Sequence, residues 1–266
     1  MDIFDIKNTF RTPNAEHYPE LKGYSREAIY EGKMGPGGLY LAAQMSRLLS
    51  PAKGQRILDL GCGKGATSIF LAKQFDATVF AVDLWIKAEK LHEYISKHGL
   101  ENRAIPLNMD VVEPLPFASE YFDAIFCMDA VHYFGLSADF WHHLLAHLKS
   151  GGRLCIGSPC FNAEFSERAL ANLPEVYDDG TDLWPNEFSK YHSLGWWADL
   201  IEGTGLVKIL DLKYLDDGEI YWEDDILDNL ERGGDKDTAL IDAAQVTFRQ
   251  EGIPHLTHFV LSVEKI

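Results

Sequence analysis

The chain has 266 residues, 46% hydrophobic and 12% aromatic, enough apolar side chains for one large domain or one domain with an insertion. Its formal net charge is −17, from 41 acidic against 24 basic residues. An acidic chain without a Lys/Arg-rich block argues against binding to DNA, RNA or anionic membranes, because attraction to phosphates needs a basic surface; the excess serves solubility or draws in a cationic substrate or partner.

The opening stretch "MDIFDIKNTFRTPNAEHYPELKG" reads as polar and irregular. It has no long apolar run, and nothing later reaches about 18 uninterrupted apolar residues, so the expectation is a cytoplasmic protein without signal peptide or membrane span. "REAIYEG" suggests a short helix broken by "KMGPGG", after which "LYLAAQMSRLLS" resumes helical apolar spacing until Pro51. From residue 56 strands and helices alternate. "RILDL", "TVFAVDL", "AIPLNMD", "FDAIFCMDA" and "RLCIGSPCF" are short apolar strands, and "GATSIFLAKQF", "IKAEKLHEYISKHG" and "ADFWHHLLAHLKSGG" are the helices between them. Such alternation, with strands apolar on both faces, implies a parallel, doubly wound sheet. Residues 161–192 break the rhythm with aromatics and acids and read as a lid or cap. "SLGWWADLIEGTG" returns to helix, "LVKILDLKYL" to strand, "EIYWEDDILDNLERG" and "KDTALIDAAQVTFRQEG" to helix, and "THFVLSVEKI" is the closing strand.

The glycine loop of "LDLGCGKGATSIFLA" fits two patterns. Gly61, Gly63 and Ala66 match the dinucleotide fingerprint G-x-G-x-x-G/A, and Gly61, Gly63 and Gly65 match the G-x-G-x-G loop of S-adenosylmethionine enzymes. The surrounding acids separate them. Asp59, two residues before Gly61, suits the ammonium of S-adenosylmethionine and repels a pyrophosphate. Asp83, at the end of the second strand, can accept both ribose hydroxyls of either cofactor, and can also cap the following helix. Asp110 closes the third strand and can accept an adenine amino group, with the Val111 N–H as donor. The fourth strand carries Cys127, Met128, Asp129 and His132 toward the carboxyl edge, where open α/β sheets bind ligands.

On "ILDLGCGKG" (57–65), "AVDL" (81–84), "NMDVVEPLPFASEYFDAIFCMDAVHYF" (108–134) and "HLLAHLKSGGRLCIGSP" (143–159), the chain resembles the class I S-adenosylmethionine-dependent methyltransferases over roughly residues 35–160. The resemblance implies an α/β, Rossmann-like seven-stranded sheet of order 3-2-1-4-5-7-6, its last strand antiparallel, with a cap after strand 5. "KMGPGGLYLA" is similar to the GPG segment of some small-molecule methyltransferases, which packs on the methionine end of the cofactor; it is also readable as a turn before a helix. The resemblance thus implies cofactor contacts from Met34, Gly35, Gly37 and Tyr40, from Asp59, Gly61, Cys62, Gly63 and Gly65, from Asp83, Leu84 and Trp85, and from Asp110, Val111 and Met128.

Methyl transfer needs alignment of acceptor and methyl, and a base if the acceptor carries a proton. His132, just after the fourth strand, is the candidate base, with Tyr133 beside it; both also suit packing roles. His143 and His147 share a helix face without the acid of an H-E-x-x-H site, so no metal is expected. Cys62, Cys127, Cys155 and Cys160 lack C-x-x-C spacing and read as reduced thiols. Phe161, Tyr177, Trp184, Phe188, Tyr191, Trp196 and Trp197, interleaved with Asp178, Asp179, Asp182 and Glu187, suit an amine or a flat organic acceptor. The sequence therefore leads to residues 1–50 covering a cofactor site and a methyltransferase domain over 51–266, with 161–197 capping the acceptor. The expected activity is metal-independent methylation of a small molecule, an amine first, by a monomer or homodimer. An NAD-dependent oxidoreductase and a non-catalytic cofactor-binding protein stand as alternatives.

Overall fold

A computed structural model describes residues 3–49, 53–164, 188–234, 239 and 255–266. Seven strands form one sheet of order β3-β2-β1-β4-β5-β7-β6: β1 (Arg56–Leu60), β2 (Thr78–Asp83), β3 (Ala104–Asn108), β4 (Phe122–Met128), β5 (Leu148–Phe161), β6 (Val207–Tyr214) and β7 (Leu256–Lys265). The first five strands pair in parallel, and β7 lies antiparallel between β5 and β6. This is the order and strand sense that the resemblance implies.

The middles of the inner strands are apolar because both faces are covered. Successive side chains point to opposite sides, so Ile57, Val79, Ala124 and Phe126 join one core while Leu58, Val82, Ile125 and Cys127 join the other. Helices α3 (Gly38–Leu49), α4 (Ala66–Phe75) and α5 (Ala88–Lys97) cover the first face. Helix α6 (Val131–Phe134), α7 (Ala138–Ala146) and α8 (Leu194–Glu202) cover the second. In α7, Trp141 is fully buried and its indole N–H donates to the Gly135 carbonyl at 2.9 Å.

Two sequence expectations are revised. The helix expected over 138–152 ends at Ala146, and Leu148 instead pairs with Phe122, ahead of a register shift before Ala124 pairs with Arg153. The fully buried Leu148 side chain gains more by joining the sheet core than by extending a helix outward. The opening segment, expected to be irregular, holds α1 (Ile3–Thr9) and two 3-10 turns, Ala15–His17 and Pro19–Leu21. Apart from Ala239, which is helical and buried, the helix expected over 236–252 lies outside the described residues, as does the stop at Pro51. Among the described residues no helix is long and apolar enough to cross a membrane.

The N-terminal segment, including α2 (Arg26–Tyr30), is fastened to α9 (Gly218–Glu231) by charge. Arg11 donates from its backbone N–H and guanidinium to Glu223, at 2.5–2.9 Å. Arg26 meets both oxygens of Asp224, at 2.8 and 3.2 Å, and the Tyr30 hydroxyl donates to the same carboxylate. Lys33 pairs with Asp225 and, at 3.0 Å, with Asp228. The Asp224 side chain is fully buried. Removing one partner of a buried ion pair strands the other, so Asp224→Ala is expected to lower the unfolding free energy by about 3 kcal/mol. Urea denaturation of the two proteins side by side measures it.

Candidate active site

A cavity of about 280 Å³ opens at the carboxyl ends of β1, β2, β3 and β4, beneath the segment joining α2 to α3. Each wall follows from local chain chemistry. After β1 the backbone turns at Gly61, whose φ is +70°; a Cβ there would stand 2.4 Å from the Ala130 Cβ, so only glycine lets the two loops approach. The turn leads to Gly65, the N-cap of α4. Asp83 ends β2 nearly buried. One carboxylate oxygen accepts the Gly63 N–H at 2.8 Å, and the other accepts the N–H groups of Trp85 and Ile86 at 2.8 and 2.9 Å. The side chain therefore ties the glycine loop to the turn before α5. Asp110, after β3, accepts the Val112 N–H at 3.1 Å and also borders the cavity.

Of the residues expected at the cofactor, Met34, Gly35, Gly61, Cys62 and Gly63 line the cavity. So do Asp83, Leu84, Trp85, Asp110, Val111 and Met128. Gly37, Tyr40, Asp59 and Gly65 do not. Gly37 lies against the Tyr221 ring, and Tyr40 packs edge-on to Tyr18, 4.7 Å between centroids. Gly65 is turned toward Leu91. Asp59, expected to meet an ammonium directly, is buried behind the loop, where it accepts the Thr67 and Ser68 hydroxyls at 2.7 and 2.5 Å. Burial pushes its carboxyl up to about 6, against the pull of those two hydroxyls and with a push from nearby Asp83.

The expected base is also displaced. Tyr133 reaches the cavity mouth, edge-on to Trp85 at 5.1 Å, with the Lys190 ammonium 5.0 Å from its ring. His132 does not reach the wall. It is buried, its Nδ1 lies 3.0 Å from Ser158 Oγ, and Tyr191 packs on it. Burial, with Lys190 and His258 nearby, presses the imidazole down to about 3, which holds it neutral. All four cysteines are buried and free; burial raises the Cys62 thiol well above its usual range, helped by Asp59 and Asp83. His143 and His147 lie at the end of α7, and His147 Nδ1 bonds the Ala118 carbonyl at 3.1 Å. Tyr177, Asp178, Asp179, Asp182, Trp184 and Glu187 of the expected cap lie outside the described residues, as does the side chain of Phe188.

Sequence reasoning brought Asp129 to the ligand-binding edge but gave it no role. It follows β4 with φ +50°, in the left-handed region that few non-glycine residues occupy. Its N–H donates to the Gly157 carbonyl at 2.8 Å, while both carboxylate oxygens are buried without a hydrogen-bond partner. The side chain borders the cavity, and Gly35 passes so close that a Cβ there would sit 2.8 Å from Asp129 Oδ2. Burial raises the Asp129 carboxyl above its ordinary range, with His258 opposing. Asp83, Asp110 and Asp129 thus all face one space. Lys33, the one cation among the described lining residues, is drawn to Asp225 and Asp228. The cavity suits a cationic ligand and opposes a pyrophosphate.

The Asp59 environment gives a pH signature. Its folded value, about 6, lies above the ordinary 3.8. The folded state therefore binds the proton more tightly, and the stability this gives is complete below about pH 4 and lost as pH rises through about 6. Asp59→Asn is expected to remove that loss, about 2 kcal/mol between pH 4 and pH 7. Urea titrations across this range test it; parallel curves for both proteins would refute it.

The family described as a methyltransferase domain matches residues 57–152. The chain is 28% identical over 121 residues to the 27-O-demethylrifamycin SV methyltransferase of Amycolatopsis mediterranei, covering 44% of this chain and 43% of that protein. It spans less than half the length of the leading curated relatives it matches. In fold it is similar to phosphoethanolamine N-methyltransferase 2 of Haemonchus contortus in complex with S-adenosyl-L-methionine. That match has a TM-score of 0.64 at 17% identity and covers 94% of this chain and 58% of that one. It is also similar to the [4+2]-cyclase SpnF, with TM-score 0.65 at 14% identity over 96% of this chain and 98% of that one.

Proposed function

We propose that this chain, whose residues 57–152 match the methyltransferase-domain family and whose sheet has the class I order, uses S-adenosylmethionine to methylate a small-molecule amine. The observation that carries this reading is the charge of the cavity: three carboxylates face it, and its one described cation is already paired. S-adenosylmethionine is a cation with a methyl group on an activated sulfonium, and its chemistry supplies that methyl to a nucleophile. NAD would bring a pyrophosphate against the same acids.

In this reading Asp83 accepts the ribose hydroxyls while its backbone bonds keep the glycine loop in register. Asp110 accepts the adenine amino group and the Val111 N–H donates. Met34, Gly35, Gly61, Cys62, Gly63 and Met128 enclose the methionine end, with Leu84 and Trp85 along the ribose. Asp59 acts one layer back, fixing Thr67 and Ser68 so that α4 begins where the loop needs it. Tyr133 covers the mouth. His132, buried and bonded to Ser158, packs behind the wall, and its depressed basicity makes it a poor acceptor for a proton. Asp129 receives the acceptor: a buried carboxylate without a hydrogen bond is costly, and an ammonium offers both charge and N–H donors. Residues 1–50 cover the cofactor, and 161–197 cap the acceptor. We place the protein in the cytoplasm, as a monomer or homodimer acting on a free small molecule and not on nucleic acid; the acidic surface supports this.

Calorimetry and a methyl-transfer assay test the proposal. S-adenosylhomocysteine is expected to bind, and Asp83→Ala to weaken it by about 100-fold, as expected when charge-assisted bonds to a buried acid are lost. Asp129→Asn is expected to keep that binding and lose transfer to amines. Binding of NADH without S-adenosylhomocysteine would overturn the cofactor assignment. Tight S-adenosylhomocysteine binding without turnover on any amine would leave the fold serving another reaction.

A further inference from the structure

The Asp129 carboxylate has a second neighbour that the cavity conceals. His258, on β7, is fully buried. Its Nδ1 lies 2.9 Å from the Gly218 carbonyl, and a carbonyl only accepts, so Nδ1 carries a hydrogen. Nε2 is left facing Asp129 Oδ1 at 3.6 Å, with no hydrogen-bond partner of its own. In a neutral imidazole that nitrogen presents a lone pair, and an ionised carboxylate presents another. Two lone pairs facing each other in a buried site repel; one proton held by the pair removes the conflict.

We propose that His258 is a positioning residue for Asp129, and that the two hold a single proton in common so that an amine acceptor meets them in its neutral, nucleophilic form. The second half of this statement rests on the amine reading above; the pairing itself does not. Asp129 alone would trap an ammonium as an ion pair and keep its lone pair occupied. With His258 behind it, the ammonium N–H bond breaks, the electron pair stays on nitrogen, and the proton joins the pair. The proton the pair already held leaves to solvent as the ammonium docks.

The groups packed around His258 allow this exchange. From α9, Tyr221 lies edge-on to it and Trp222 tilted against it, with centroids 5.4 and 5.8 Å away, and the buried Trp222 Nε1 has no acceptor. From α6 the nearest titratable group is His132, already held neutral. From β5, Pro159 is the register partner and Ser158 is bonded to His132. Asp225 pushes on Asp129 but is itself paired with Lys33. Lys190 bears on His132. No other described carboxylate forms an ion pair with His258.

The test has two arms. In the full-length protein bound to S-adenosylhomocysteine without acceptor, nitrogen NMR of the histidines is expected to show His258 Nε2 protonated or hydrogen-bonded. Asp129→Asn should return it to the position of a bare ring nitrogen. A bare Nε2 in the wild type, unmoved by Asp129→Asn, would overturn the proposal whatever the acceptor proves to be. In the second arm, His258→Asn is expected to lower kcat near pH 7 on the order of 10²-fold without raising KM. It should also move the acidic limb of the pH profile upward, toward the acceptor's own titration. An unchanged limb would overturn the proton-holding role. A coupled pair seen by NMR, together with methylation of hydroxyl or carbon acceptors only, would preserve the pair and refute the amine reading.

Discussion

One carboxylate fixes the geometry on which the rest of the site depends. Asp83 ends β2, and its two oxygens accept three backbone N–H groups from two different loops while keeping a lone pair for a ligand. Each loop by itself is a turn with unsatisfied donors; joined through Asp83 they form a continuous rim. The glycine loop is then supported from beneath as well, since Asp59 draws the Thr67 and Ser68 hydroxyls of the first turn of α4 toward β1. A rim built from short charge-assisted bonds to backbone is rigid in a way that a rim of side chains is not. The opening above it is left to the more adaptable Trp85 and Tyr133.

The roof is fastened differently. Glu223, Asp224, Asp225 and Asp228 all sit on one helix, α9, and each takes a basic partner: Arg11, Arg26 or Lys33, with Arg232 also on Asp228. Part of the large negative charge is therefore not surface excess at all. It is a row of largely buried acids that holds the N-terminal segment, and with it Met34 and Gly35, over the cavity. Tyr18, hydrogen-bonded to Asp217 and Tyr221, extends the same seam.

The sheet was legible because its strands are apolar on both faces and its helices amphipathic, patterns that depend only on local sequence. Boundaries failed where a tertiary contact overrode the local pattern, as at Leu148, whose place in the sheet depends on Phe122 across the register. At the site, Gly61, Asp83, Asp110 and Met128 were legible because they occupy fixed positions after strands. Asp59 was misjudged because its position before the loop says nothing of which way the side chain turns. Asp129 carried a faint signal, an acid at the end of a strand at the ligand-binding edge. His258 carried none: the resemblance places the closing strand beside β5, but nothing in "THFVLSVEKI" says that this imidazole comes to lie behind an acid some 130 positions earlier.

That insertion also sets the order in which the molecule can be assembled. Strand β6 bonds only to β7, and β7 bonds β5 on its other side. Until residues 256–265 arrive, β5 presents an open apolar edge and β6 has no sheet to join. Pairing so distant in sequence is slow to form, and the waiting edge is prone to wrong partners. The same strand that closes the edge delivers His258, so the local environment of Asp129 is completed in the step that seals the sheet. A partly folded chain can display the glycine loop, but it cannot yet offer the finished acceptor pocket.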